Sequence, residues 1–416
     1  MAWPISPDLA AALLGSHTSV AKADILYDGE LVATVAGEGN IGLSGQVRLV
    51  GGNVQVARAT VRRTGTVTFY DPGRELDDLI VPLRAEVRLW RGALLPNSGQ
   101  TVVTTVTGGL APSTSLAPST SLAPSAGSVV TTFVSGPDRE YVPVLTGVVF
   151  APTGGTWPQR EVGLKDRMAW VARQRFVNPW KTAPNIPVAQ AITTLISSRI
   201  PAPRRSLSIP DTGASTGTAV SLVFDEQADP AEALADLATA AGQVLYVDPM
   251  GTFVAEVEGE PDPADAVLVL APGPTSIMLR PVRERDAGEV ENAVKVTGEA
   301  TDLAAPVSGY AEDSDPDSLT YVRKVGVIPR FWSSPLMRSN EQCVKAALTI
   351  LRTQLGLSDT IAQAIVPRPD LDAGDVLRVV DPDQGMDLAV LVDSFPVDLV
   401  SDGPMSLSCR TRTVSL

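Results

Sequence analysis

A chain of 416 residues, 44% hydrophobic but only 5% aromatic, is too long for one ordinary core and predicts two to four domains. Its 34 glycines and 34 prolines cut it into short elements, so the expected class is β-rich α+β with few helices. The net charge of −14 argues against general nucleic-acid affinity, which needs clustered Lys and Arg.

The charge is unevenly placed. Residues 160–205 hold nine Lys or Arg against two Asp or Glu, whereas residues 206–322 hold four against 22. Two readings stay open: a basic face meeting an acidic face, within a subunit or between copies, or an acidic surface beside a basic loop. No apolar run reaches the roughly 18 residues of a membrane span. The stretch from Met1 to Lys22 has no basic region ahead of an apolar one, so a signal peptide is not expected, and synthesis and assembly are expected in a cytoplasm.

In chain order, "ADILYDGELVATV" is a hairpin signal around Asp28-Gly29, and "GQVRLV", "ATVRRTGTVTFYDP" and "RAEVRLWRGALL" continue as strands. Two β-branched runs at 101–109 and 128–136 flank a repeat, LAPSTS-LAPSTS-LAPSAG, within residues 108–128. The runs read as strand-like legs, and the repeat, with a Pro in every unit, as a polyproline-like or mobile tip. "REYVPVLTGVVFAP" then resumes the β pattern, so 100–137 reads as an arm inserted in a hairpin.

From about 167 the pattern turns helical. Val188, Ile192, Leu195, Ile196 and Ile200 share one helical face. Asp229 caps a second helix that opens on Pro230 and closes at Gly242. A hairpin follows around Asp248–Gly251. A third helix over 339–355 carries Ser339 and Gln342 in capping-box spacing, with Gly356 after it, and short strands fill the rest. The expected division is a β-barrel-like domain over 1–166 bearing the arm, a mixed α+β domain over 167–285, and a second β-barrel-like domain over 286–416.

Candidate chemistry is sparse. The single histidine, His17, near an N-terminus expected to be mobile, excludes most nucleophilic triads and all multi-histidine metal sites. "GEGNIG" at 37–42 spells a dinucleotide fingerprint, but a strand follows where a helix must open, so it reads as a turn. "DSDPDS" at 313–318 starts like a calcium loop, yet Ser318 and Lys324 stand where Gly and Glu are required, leaving a solvated acidic turn. "PRRSL" at 203–207 lacks interleaved aromatics. Cys343 and Cys409 are expected as buried thiols. No catalytic, cofactor-binding or metal-ligating residue and no cofactor is assigned, and an enzyme is not expected.

The order of segments resembles the tail hub or minor tail proteins of long-tailed actinobacteriophages, themselves similar to the trimeric baseplate hubs of contractile tails. The resemblance is carried by "ADILYDGELVATV", "VRRTGTVTFYDPGRELDDLIVPLRAEVRLWRG", "YVPVLTGVV", "VGLKDRMAWVARQRF", "DPAEALADLATAAGQVLYVDPMGTF", "ENAVKVTGE" and "DLDAGDVLRVV". It spans about residues 20–96 and 138–416, and the 100–137 arm departs from it.

The resemblance implies a ring of three subunits closing the distal tail tube of a virion, with barrels facing the tube or distal tail protein. Tip and receptor-binding proteins, and a tape-measure protein, would be its neighbours, with genomic DNA passing through a lumen that acidic residues would keep non-adhesive. An arm of this kind could reach a tip protein, or be a tolerated surface expansion. The alternative function is a monomeric adhesin or carbohydrate-binding module, which would need exposed aromatics among Trp3, Trp90, Trp157, Trp170, Trp180 and Trp332. A hydrolase would need a carboxylate pair that does not stand out.

Overall fold

The computed structural model describes residues 2–15, 17–36, 39–95, 102–106, 129–133, 138–153, 155–213, 223–257, 262–273, 276–279, 281–285, 290–299, 306–355 and 359–411. The LAPSTS repeat and Gly356 lie outside them.

The N-terminus is not a loose tail. Ser6 caps helix α1 (Pro7–Leu13) by accepting the Leu9 N–H at 3.0 Å, and its own N–H donates to Glu140 at 2.9 Å. Leu9 and Leu13 are buried against Ala93 and Val142, so two apolar side chains one helical turn apart dock the segment.

Strands β1 (Ser19–Tyr27) and β2 (Glu30–Ala36) form the expected hairpin, with Asp28 and Gly29 both at positive φ. After them come β3 (Arg48–Ala57), β4 (Arg63–Tyr70), β5 (Ala85–Leu94), β6 (Val102–Val106), β7 (Val129–Phe133), β8 (Arg139–Thr153) and β9 (Gln159–Lys165). The two β-branched legs pair with each other, Val102 opposite Phe133 and Val106 opposite Val129.

The middle of the chain supplies α2 (Arg167–Arg173), β10 (Trp180–Lys181), α3 (Val188–Arg199), β11 (Ser206–Ser208), β12 (Val223–Phe224), α4 (Pro230–Ala240), β13 (Val244–Val247) and β14 (Thr252–Glu256). Asp229 caps α4 through the Ala231 N–H at 2.8 Å, and the face of α3 read from the sequence is buried. Then follow β15 (Leu268–Leu270), β16 (Val282–Arg285), β17 (Ala293–Gly298), β18 (Ser308–Glu312), α5 (Val322–Val325), β19 (Pro329–Ser334) and α6 (Asn340–Gln354). The Ser339 hydroxyl accepts the Gln342 N–H at 3.2 Å, and the Gln342 side chain accepts the Arg338 N–H at 2.9 Å. The chain ends with β20 (Asp359–Ile365), β21 (Val376–Asp381), β22 (Met386–Asp398) and β23 (Met405–Thr411).

The β-rich, multidomain class is as expected, but the β-regions at the two ends are joined. They share one 13-stranded sheet whose main path runs β16-β20-β23-β22-β3-β4-β9-β8-β5-β1-β2, with β21 and β15 branching from β22. Strand β22 is the splice. Its first half pairs with β21, its middle with β23, and its last residues, Ser394 to Asp398, with Ala57 to Asn53 of β3. One hydrophobic core follows the splice, taking in Val54, Val67, Leu89 and Leu164 with Leu377, Val392, Phe395 and Leu407. Among the described residues no ladder closes the sheet into a barrel.

A second core gathers α2, α3, α4, α6 and the two three-stranded sheets β11-β14-β13 and β18-β17-β19 around Ile192, Leu195, Leu237, Phe253, Val296, Cys343 and Leu351. This grouping crosses the expected boundary near 286. Strands β15 and β16 return to the large sheet, while β17 to α6 pack with the middle of the chain. Strand β18 lies so close on α6 that a Cβ at Gly309 would stand 2.3 Å from the Cys343 carbonyl carbon, which only glycine permits.

Phe395 fills the splice at 1% exposure. Phe395→Ala is expected to lower unfolding free energy by about 3–5 kcal/mol. Both β-halves should still melt in one transition in denaturant titrations followed by fluorescence and circular dichroism; two separated transitions would refute the shared core.

Candidate functional site

The charged groups that matter most are inside the molecule. Arg63, the first residue of β4, is 1% exposed and joins three sequence-distant parts. Its Nη2 donates to Asp372 Oδ1 at 2.5 Å and its Nη1 to the Val247 carbonyl at 2.6 Å. Its backbone N–H donates to Asp166 Oδ2 at 2.9 Å, while its carbonyl accepts the Asp166 N–H at 3.0 Å. Asp166 also caps α2 through the Met168 and Ala169 N–H groups. The first residue after β9 is therefore bolted back to the large sheet at the point where the helical region starts.

Arg167 makes the second tie. Its Nε and Nη2 donate to the two oxygens of Glu86 at 2.7 and 3.0 Å, and Nη1 donates to the Gly251 carbonyl at 2.7 Å. Gly251, at φ +85°, lies against that guanidinium, and a Cβ there would stand 2.9 Å from it. Arg204 lies over Trp170 at 5.2 Å and 3.5 Å from Asp28, and it donates to the carbonyls of Leu83 and Arg84. Arg62 lies 3.7 Å over the Tyr246 ring and donates to the Ala373 carbonyl. Planar guanidiniums suit such places because they pair bidentately and stack.

Burial alone would raise the Asp372 carboxyl, but Arg63 and then Arg62 hold it below the ordinary carboxylate value. Asp166 goes the other way. Burial pushes it up to about 6 against the N–H groups of Arg63, Ala169 and Met168 and the Arg63 charge. The contribution of Asp372 to stability is therefore complete above pH about 4 and lost as pH falls through its depressed value; that of Asp166 is complete below about 4 and lost as pH rises through 6.

Beside this junction lies a cleft of about 800 Å³ between the two cores, walled by the β3–β4 turn, α4, β13, α6 and β21. Its arginines are engaged: Arg410 and Arg58 with Asp393, Arg62 with Asp372. Both cysteines are buried as expected, and burial raises both thiols, Cys409 to about 12, so they stay protonated and unreactive near neutrality.

The structure corrects several sequence readings. The basic stretch 160–205 is only partly a face: Lys165, Arg173, Arg175 and Lys181 are exposed, while its described ion pairs run from Arg160, Arg167 and Arg204 to Asp71, Asp77, Glu86 and Asp28, none of them in 206–322. In "PRRSL", Arg204 is interior. "DSDPDS" is not a solvated turn. Asp313 is fully buried and takes hydrogen bonds from the hydroxyls of Ser318 and Thr320 and the Asp315 N–H.

In "GEGNIG", Asn40 joins strands. It accepts the Ala36 N–H at 3.1 Å and donates to the Val47 carbonyl at 2.9 Å, between β2 and β3. His17 lies 3.1 Å from the Gly15 carbonyl. Of the tryptophans only Trp157 is exposed; the other five are half-buried, and Trp180 packs with Phe176 and Phe224.

No family model and no curated protein sequence matches the chain. Solved structures do. A tail protein from Neisseria meningitidis aligns with a TM-score of 0.55 at 12% identity, over 94% of this chain and 96% of its own. The 43 kDa tail protein of prophage MuSo2 from Shewanella oneidensis aligns at 0.52 and 11%, over 94% and 98%. This chain has the fold of phage tail proteins. A chain of the Francisella PdpA-VgrG complex also aligns, at 0.51 and 8% identity, over 98% of this chain and 61% of that one. The resemblance to tail and baseplate-hub proteins, read from the order of segments, thus holds at the level of fold.

The residues the sequence did not single out are Arg63, Glu86, Asp166, Arg167 and Asp372. The available signal was "VRRTG", an Arg pair within a strand pattern, where alternation turns one of two neighbours inward.

Arg63→Met, which leaves the buried Asp372 with only the 3.9 Å contact to Arg62, is expected to lower stability by about 3 kcal/mol at neutral pH. Asp372→Asn should flatten the loss of stability on acidification below pH about 4. Chemical denaturation at a series of pH values measures both, and an unchanged acid limb in Asp372→Asn would count against this role for the pair.

Proposed function

We propose that the protein is a structural subunit of a phage tail, a hub that forms a ring of three at the distal end of the tail tube and connects it to tip and receptor-binding proteins. The observation that carries this reading is end-to-end coverage. The likeness takes in nearly all of this chain and nearly all of two tail proteins, so the whole arrangement of sheet and helical region is shared rather than one module. The function is load-bearing and non-catalytic: the buried charges tie modules together, and the thiols are protonated. The distal tail protein or tube would lie on one side of the ring and the tip proteins on the other.

Light scattering of the full-length protein in low salt, over a wide concentration range, is expected to give three times the chain mass of 43.6 kDa. Negative-stain images of that species should show a ring with a central channel. A monomer at every concentration, or a trimer without a channel, would overturn the hub reading.

A further inference from the structure

Two exposed surfaces of the chain carry side chains of opposite charge. The first is a knob. Among the described residues strand β19 pairs only with β17, leaving one edge open, and the segment leading into it exposes Val325, Val327 and Ile328, with Phe331 75% exposed on the strand itself. From residue 318 to 340 the chain has no Asp or Glu, and it has four Lys or Arg, among them Arg323 and Lys324 beside the knob. The second is the mouth of the 800 Å³ cleft, where Glu256, Val257, Asp265 and Val267 form one side. Val257 is 60% exposed, and strand β15, which among the described residues pairs only with β21, has an open edge of its own at exposed Val269. From residue 206 to 279 the chain has no Lys or Arg, and Glu256, Asp262 and Asp265 are exposed.

An apolar, basic projection and an apolar, acidic concavity cannot cover one another in a single chain, since both are exposed in it. Contiguous exposed apolar surface on a strand edge marks a contact site or an aggregation hazard. A surface complementary to a different surface of the same molecule makes head-to-tail contacts, which close into a ring when the rotation allows.

We propose that the β19 knob of one copy, Val325 to Phe331, seats in the cleft mouth of a second copy, with Arg323 and Lys324 facing Glu256 and Asp265. The occupant of the cleft is this chain itself, selected by the charge of Arg323 and Lys324 against Glu256 and Asp265 and by the open strand edges. The cleft's own arginines, Arg58, Arg62 and Arg410, are each held in an ion pair with Asp393 or Asp372. The proposal rests on the ring reading above and names the surfaces that make the ring.

The test uses the full-length protein. Phe331→Glu and the pair Glu256→Lys/Asp265→Lys should each weaken self-association about 30-fold, as loss of a central contact does. Combining Glu256→Lys/Asp265→Lys with Arg323→Glu/Lys324→Glu should restore it. Circular dichroism melts show that each variant is folded. Because Cys343 and Cys409 are buried, a mixture of Phe331→Cys and Val267→Cys proteins should give a disulfide-linked dimer under mild oxidation, which neither yields alone.

A trimer that withstands all these substitutions and gives no mixed crosslink overturns this interface and leaves the hub reading standing. A wild-type protein that is monomeric throughout overturns both.

Discussion

The rest of the structure depends on a charge that has been taken out of water. The Arg63 guanidinium reaches Asp372 and Val247 from the start of β4, and its backbone holds Asp166. Removing a guanidinium and a carboxylate from solvent costs several kcal/mol each, and their attraction offsets only part of it here, where both Nη groups of Arg63 are placed and its buried Nε is not. Such a pair is a poor source of net stability but a strict one of geometry: a shift that broke it would leave both charges buried and unpaired. Apolar contacts alone would allow the helical region to settle on the sheet in several orientations, whereas Arg63 and Arg167, tied to Asp372, Val247, Asp166, Glu86 and Gly251, accept one.

The sheet applies the same logic on a larger scale. A chain whose two terminal β-regions were merely adjacent could hinge between them. Here β22 belongs to both, so bending one region against the other requires breaking ladder hydrogen bonds from Ser394 to Asp398 and opening the core around Phe395. Side chains in cores pack nearly as densely as crystals, and small displacements are resisted at once. In the tail-hub role proposed above, this continuity would be the useful property. It follows from one long strand with a register shift between Val392 and Ser394 that lets it change partners.

Local features were readable in the sequence because local physics decides them. The Asp28-Gly29 turn, the caps at Asp229 and Ser339, and the apolar face of α3 all follow from nearest-neighbour sterics and periodicity. The splice between β22 and β3 was not readable: it joins residues more than three hundred positions apart, and alternation on each strand is the same whatever its partner. The grouping of β17–α6 with the middle of the chain failed to show for the same reason.

The charge pattern misled in an instructive way. Nine cations in 160–205 look like a surface, but Arg167 and Arg204 belong to the interior, and only the positions of Glu86 and Asp28 reveal it. Asp313 was similarly misjudged, since its hydroxyl donors Ser318 and Thr320 had to be seen around it before burial made sense.

The contrast between the middle and the edges of the molecule bears on assembly. Inside, opposite charges are matched within the chain and the polar ties converge on Arg63, Arg167 and Arg204. At β15 and β19 the ladders among the described residues stop, and along the chain the charge signs are segregated, with no Lys or Arg over 206–279 and no Asp or Glu over 318–340. Native proteins usually blunt open edges with charge of mixed sign, bulges or covering loops. In the arrangement proposed above, two β19 edges would repel through Arg323 and Lys324 and two cleft mouths through Glu256 and Asp265. The pairing left attractive would be one edge with the other, so association would run in a single direction.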